Sequence, residues 1–111
     1  VKKISQGEIW FADFGAPVGR EQAYPRPALV ISNDDYNTAG FELVIAVPLT
    51  TRERGWNHHV EIPPGDSGLR KTSWAMVQQV RSLSPLRFSA RLGEVPPEKV
   101  EEVLGVLGRM V

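Results

Sequence analysis

Ten polar side chains border apolar runs in this chain: Glu21, Gln22, Arg26, Thr50, Thr51, Arg52, Ser73, Gln78, Gln79 and Arg81. The sequence holds no thiol, no serine-nucleophile motif and no phosphate-cradling glycine loop of the P-loop or dinucleotide type. What remains can bind and polarise a phosphodiester, because an arginine fork matches phosphate oxygens and never loses its charge. Arg26 leads the set. It precedes Pro27-Ala28-Leu29-Val30-Ile31-Ser32, which reads as a buried strand over 28–32. A proline at the first strand position gives up no needed ladder donor, so a rigid element delivers Arg26 at its mouth. The breaker-rich stretch from Gly15 to Pro25 arrives beside it and is longer than most hairpin loops. Loops of that length in compact domains are often functional, which flags Arg20, Glu21 and Gln22.

His58 and His59 first suggest an acid–base pair of the kind that cleaves RNA. Neighbours on a strand point to opposite faces, and Val60 and Ile62 put His58 on the core side with His59 opposite. On that geometry they cannot both reach one substrate atom, and no further ligand at useful spacing completes a metal site. Neither histidine is read as essential; His59 is kept as a residue lining a cleft.

The elements that must position these groups are mostly short strands. They are read over Gly7–Phe14, Ala28–Ser32, Leu43–Leu49, His58–Ile62, Ser73–Leu83 and Arg91–Val95. Asn33 to Gly40 and Pro63 to Gly68 have turn chemistry, and Ser84-Pro85-Leu86-Arg87 opens a short helical turn. The period changes at the end, where Val100, Val103, Leu104, Leu107 and Met110, with Val111, recur at helical spacing after Pro96-Pro97-Glu98. Glu98, Glu101 and Glu102 suit the positive end of that helix and Arg109 the other. Gly105 and Gly108 each weaken it by roughly 1 kcal/mol relative to alanine, so it must dock on the sheet. Short strands with one terminal helix imply a mainly β protein, a small and strongly curved sheet or open barrel.

At 111 residues one domain covers the chain, and it is long enough to bury a core. The absence of cysteine excludes disulfides and thiolate metal sites and fits a cytoplasmic protein. No apolar run approaches the ~18 residues of a membrane span, and Val1 to Gln6 lacks the apolar segment of a signal peptide. The net charge is zero, yet residues 52–93 hold seven basic residues against three carboxylates, and residues 94–111 four carboxylates against two basic residues. A basic middle beside an acidic tail suits an anionic ligand held on one face.

Read in order, the blocks become specific. Gly7-Glu8-Ile9-Trp10, Glu21-Gln22, Arg26-Pro27-Ala28-Leu29-Val30-Ile31-Ser32-Asn33-Asp34 and Pro48-Leu49-Thr50-Thr51 are followed by His59-Val60-Glu61-Ile62, Gln79-Val80-Arg81 and Arg91-Leu92-Gly93. This series resembles the MazF/PemK/Kid family of toxin endoribonucleases over essentially the whole chain. The resemblance implies an SH3-like barrel with a C-terminal helix, a homodimer, and an antitoxin that fills the RNA groove. It implies metal-independent cleavage of single-stranded RNA without a cofactor, by 2′-OH attack that leaves a 2′,3′-cyclic phosphate and a 5′-OH. Arg26 matches the family's catalytic arginine and Thr50 its catalytic threonine.

Two departures stand out, at Gln78 and at Arg20, where some relatives have His or Ser before the Glu-Gln pair. Where Gln78 stands, relatives often carry Asp or Glu, a proton-transfer candidate that glutamine cannot replace. Glu21 is then the remaining general base, although a glutamate near arginines has a lowered pKa and makes a poor one; its alternative role is a structural partner of Arg26. For binding, single-stranded bases need stacking surfaces and a basic track. Among Trp10, Phe14, Tyr24, Trp56 and Trp74, Trp56 is the expected platform because it follows Arg52 and Arg54 in a polar loop. Gln22, Thr51, Arg52, Arg54, Trp56, His59, Ser73, Gln78, Gln79 and Arg81 make up the expected RNA surface.

Two other readings compete. One is a non-catalytic toxin of the same fold that grips DNA gyrase, as CcdB does; CcdB-like chains end in Trp-Gly-Ile, where Gly108-Arg109-Met110-Val111 stands here. The other is a binding barrel whose activity has lapsed, which the missing carboxylate at Gln78 keeps open.

Overall fold

The computed structural model of the chain describes residues 2–15 and 25–111. Glu21 and Gln22, with Arg20 and Tyr24, lie outside the described residues. Among the described residues seven strands are present: β1 (Glu8–Asp13), β2 (Pro25–Val30), β3 (Val44–Thr50), β4 (His59–Ile62), β5 (Ser73–Met76), β6 (Arg81–Leu83) and β7 (Phe88–Glu94). A one-turn helix α1 (Asp34–Asn37) follows β2, and helix α2 (Pro97–Met110) closes the chain. The strands pair antiparallel in the order β4-β5-β3-β2-β1-β7, and β6 pairs with β3.

The sheet curves until its ends nearly meet. Register shifts in the β1–β7 ladder at Ile9/Trp10 and Phe11/Ala12 add local twist. The turn after β4 then reaches β7, where Glu94 donates its N–H to the Asp66 carbonyl at 2.9 Å. Gly68 and Gly93 permit this approach. A Cβ on Gly68 would lie 1.9 Å from the Leu92 carbonyl oxygen, and Gly68 also has φ +77°. The result is an open barrel stitched at its seam, as the mainly β reading expected.

Both faces of the sheet are covered. One cluster joins Ile9, Leu29, Val47, Val60, Ile62 and Val77 to Val100, Val103 and Val106 of α2. The other gathers Trp10, Ala12, Phe14, Ala28, Val30, Val44, Leu83 and Phe88, with Trp10 edge-on to Phe88. The apolar stripe of α2 differs from the one expected. Val106 is buried, while Leu104 and Met110 are 39% and 44% exposed. The helix rests on β4 and the turn after β5, a narrow seat that takes valines and leaves longer side chains at its rim.

Several boundaries also depart from the sequence reading; β7 starts at Phe88 rather than Arg91, and β4 at His59 rather than His58. Strand β2 starts at Pro25 rather than Ala28. Pro25 and Pro27 fit because the β2–β3 ladder begins only at Ala28, so this stretch has one partner strand. The expected strand over Ser73–Leu83 is two strands separated by a 3₁₀ turn at Val77–Gln79. Strand β3 pairs with β6 through Val44–Ala46 and with β5 through Leu49–Thr50, and Pro48 between them brings no N–H. The facing chain therefore winds past that gap. Finally, the turn after β2 contains α1, capped by the Asn33 side chain, which accepts the Tyr36 N–H at 2.8 Å.

Candidate active site

Arg26 lies inside β2, opposite Ala12 of β1. Continuing the Ala28–Pro48 register by two residues sets it across from Thr50 at the end of β3. Thr50 in turn faces Trp74 of β5, and Trp74 faces Glu61 of β4. Paired residues share a face, so Arg26, Thr50 and Trp74 form one row across three strands. His59 stands beside that row, opposite Met76.

Arg26 is half-buried, and its Nη1 reaches the Leu49 carbonyl at 3.5 Å. Burial pulls the guanidinium below its ordinary pKa, an energetic cost that an adjacent anion would relieve. Its Nε is buried and has no hydrogen-bond partner among the described residues. None of the ion pairs among the described residues includes Arg26. Thr50 is half-buried, and its hydroxyl oxygen accepts the Arg52 N–H at 3.2 Å. That bond folds the chain after β3 and leaves the hydroxyl proton to donate elsewhere.

Among the described residues, three buried side-chain polar atoms have no partner: Arg26 Nε, His59 Nδ1 and Gln78 Oε1. Buried polar groups are nearly always hydrogen-bonded, so three exceptions within the expected site mark a surface built for something else to complete.

His59 and Gln78 meet, with their Nε2 atoms 3.2 Å apart. Burial lowers the His59 pKa, and the charges of His58 and Arg54 lower it further. The two histidines do not diverge as strand alternation predicted. β4 begins at His59, so His58 belongs to the preceding turn and escapes the alternation. Their rings stand 5.0 Å apart and 5.3 and 5.0 Å from Trp56, forming a three-ring cluster. Trp56 is 44% exposed, and the Arg54 guanidinium lies 4.9 Å over its ring. The signal for His58 was the polar turn residue Asn57 just before it.

The remaining expected residues divide. Thr51, Arg52 and Arg54 are exposed, and Gln79 is half-buried in the 3₁₀ turn beside Gln78. Arg81 is half-buried; it donates to the Phe14 carbonyl at 2.8 Å and lies over the Phe14 ring. It thus anchors the end of the segment that leads into residues 16–24. Ser73 is a correction: it is 3% exposed, pairs with fully buried Ile62, and donates to the Lys71 carbonyl. Alternation turns it to the face opposite Trp74, away from Arg26 and Thr50. No group of three potential metal ligands occurs among the described residues.

Comparison with known proteins agrees along the whole length. A family model described as a PemK-like, MazF-like toxin of type II toxin–antitoxin systems matches residues 5–111. The chain is 35% identical over 102 residues to Endoribonuclease MazF6 of Mycobacterium tuberculosis, covering 90% of each. Its fold is similar to the crystal structure of MazF from Deinococcus radiodurans, with a TM-score of 0.86 at 31% identity over 99% of this chain and 97% of that one. A mycobacterial endoribonuclease in complex with its cognate antitoxin matches at a TM-score of 0.77 and 25% identity, covering 96% and 92%.

Proposed function

Because the chain belongs to the PemK-like, MazF-like toxin family of type II toxin–antitoxin systems, we propose that it is an endoribonuclease toxin held in check by a cognate antitoxin. Its substrate in this reading is single-stranded RNA. The observation that carries it is Arg26: half-buried, with a buried Nε that has no partner among the described residues, its guanidinium reaching the carbonyl of Leu49 next to Thr50, whose hydroxyl proton can still donate.

The reaction follows from that pair. The ribose 2′-OH attacks the neighbouring phosphorus, the bond to the 5′-oxygen breaks, and a 2′,3′-cyclic phosphate and a 5′-OH result. Charge grows on the non-bridging oxygens, where Arg26 and the Thr50 hydroxyl donate to it. Each bond is charge-assisted, and a bound phosphate gives the partly desolvated guanidinium an anionic partner. The step depends on the 2′-OH, which makes RNA the substrate and DNA inert. It runs without metal, since the cationic charge comes from Arg26. Gln78 does not titrate, so Glu21 takes the 2′-OH proton in this scheme, and the departing 5′-oxygen takes a proton from solvent. Thr51, Arg52, Arg54, Gln79 and Arg81, with Gln22, follow the backbone on either side, and Trp56 offers a stacking surface.

The protein acts as a homodimer in this proposal, with an exposed sheet edge as a route to pairing. A monomer by light scattering at micromolar concentration counts against that. The test of the reaction is cleavage of a long single-stranded RNA in EDTA by the unaltered protein, Arg26→Ala and Thr50→Ala. Discrete fragments with 5′-OH ends, lost in both variants, establish reaction and site together. Silence from the pure unaltered protein favours a gyrase-directed toxin or a lapsed binding barrel.

A further inference from the structure

We infer that His59 and Gln78 act as one donor–acceptor couple that reads the edge of a single unpaired RNA base, beside the ring of Trp56. The inference rests on the RNA substrate proposed above and assigns part of that site to sequence choice.

The couple's hydrogen-bonding capacity follows by counting. Its two Nε2 atoms are in contact at 3.2 Å, and Gln78 Oε1 and His59 Nδ1 are the two buried atoms left over. With the amide group donating to an unprotonated His59 Nε2, the ring carries its proton on Nδ1. One donor, Nδ1–H, and one acceptor, Oε1, then await a partner. With the amide turned over, its oxygen accepts from Nε2–H. Nδ1 becomes the free acceptor and the amide NH₂ the free donor. Either way the neutral couple offers one of each.

That pattern selects the ligand. A phosphate oxygen only accepts, so a phosphate would leave the couple's acceptor unpaired. A base edge presents a donor and an acceptor side by side. Burial lowers the His59 pKa, and the coulombic influence of His58 and Arg54 acts in the same direction, which favours the neutral form the pattern uses. Glu61 on the same strand is exposed, and Met76 across the ladder is apolar, so neither supplies a competing partner.

Position argues the same way. His59 shares the face of Thr50 but stands two strands over and one pleat along, roughly 12 Å away by standard strand spacings. That distance reaches the base of a flanking nucleotide, not the phosphate being cleaved. Trp56, 5.0 Å from the His59 ring, supplies an aromatic wall for that base. A glutamine where relatives often carry a carboxylate therefore has a use that needs no titration.

The test maps 5′-OH ends on a long RNA cut by the unaltered protein, Gln78→Met and Gln78→Glu. In parallel, short 2′-O-methylated RNAs, which cannot cyclise, are bound by fluorescence anisotropy with each base varied at each position. Methionine keeps the shape and removes both hydrogen bonds, so base preference at one position falls about tenfold or more. Glutamate beside a neutral His59 leaves two acceptors and no donor, so the preference at that position is lost or changed as well. Unchanged preference in Gln78→Met, or a uniform loss at every position, overturns the inference. If Gln78→Met does not fold, the ¹⁵N shifts of His59 in unaltered protein decide: they move with the preferred RNA and not with its abasic counterpart. Indifference to the base at that position overturns the proposal. Failure of cleavage with base-selective binding intact sinks the nuclease reading alone.

Discussion

The Arg26 guanidinium reaches across from β2 to the Leu49 carbonyl at 3.5 Å, a long contact that fixes its direction without satisfying it. Leu49 immediately precedes Thr50, so this contact brings the arginine to the stretch of β3 that carries the threonine. The Arg26 charge has no ion pair among the described residues.

Arg26→Ala and Thr50→Ala each lower the single-turnover cleavage rate by about 10²- to 10³-fold, the usual loss for one preorganised donor. Arg26→Lys recovers little, since an ammonium lacks the fork. Thr50→Ser keeps both the donor and the acceptor for the Arg52 N–H, and retains most of the rate. Thermal melts of Arg26→Ala stay close to those of the unaltered protein, because among the described residues the side chain loses one long hydrogen bond.

Trp56→Ala weakens binding of single-stranded RNA by roughly 1–3 kcal/mol, the range for one base–aromatic stack. Folding stability moves little, as the ring is 44% exposed and lies in a loop before β4. Anisotropy titrations beside a denaturant melt separate the two effects.

Stability depends on pH through two groups in two windows. The folded-state pKa of His59 is below its unfolded value of 6.5, so the unfolded chain binds more protons between them. Stability therefore falls as the pH drops through that interval, and His59→Gln flattens the decline. Burial raises Glu8, but hydrogen bonds from Arg91, Trp10 and Ser5 outweigh it and leave the carboxyl below 4.5. Its contribution is present above 4.5 and disappears only under more acid conditions. Melting temperatures from pH 7.5 to 3.5 for the unaltered protein, His59→Gln and Glu8→Gln resolve the two.

Gly68→Ala lowers stability by roughly 2–4 kcal/mol, combining a left-handed backbone with a forced clash. The added methyl would push the turn after β4 off Leu92 and open the barrel seam at Asp66–Glu94. Gly65→Ala, also at positive φ but with open space around it, loses less in the same denaturation experiment.

The sequence by itself determined the inventory. Alternating apolar residues fixed most strands, Pro97 and the spacing of Val100 and Val103 fixed the helix, and Ser84-Pro85 fixed its short turn. The family blocks around Arg26 and Thr50 were legible because each is a contiguous run of residues. What escaped depends on neighbours far along the chain. The break in 73–83 follows from β3 having two partners on one side, and the inward turn of Ser73 follows from its register with Ile62. Val106 is buried in place of Leu104 because the seat for α2 is shaped by β4 and the turn after β5. The meeting of His58, His59 and Trp56 rests on where β4 begins, a boundary its ladder with β5 sets. Local pattern says which face a residue prefers; only the assembled sheet says what lies across from it, and at Arg26, His59 and Gln78 that decides which polar atoms remain unpaired.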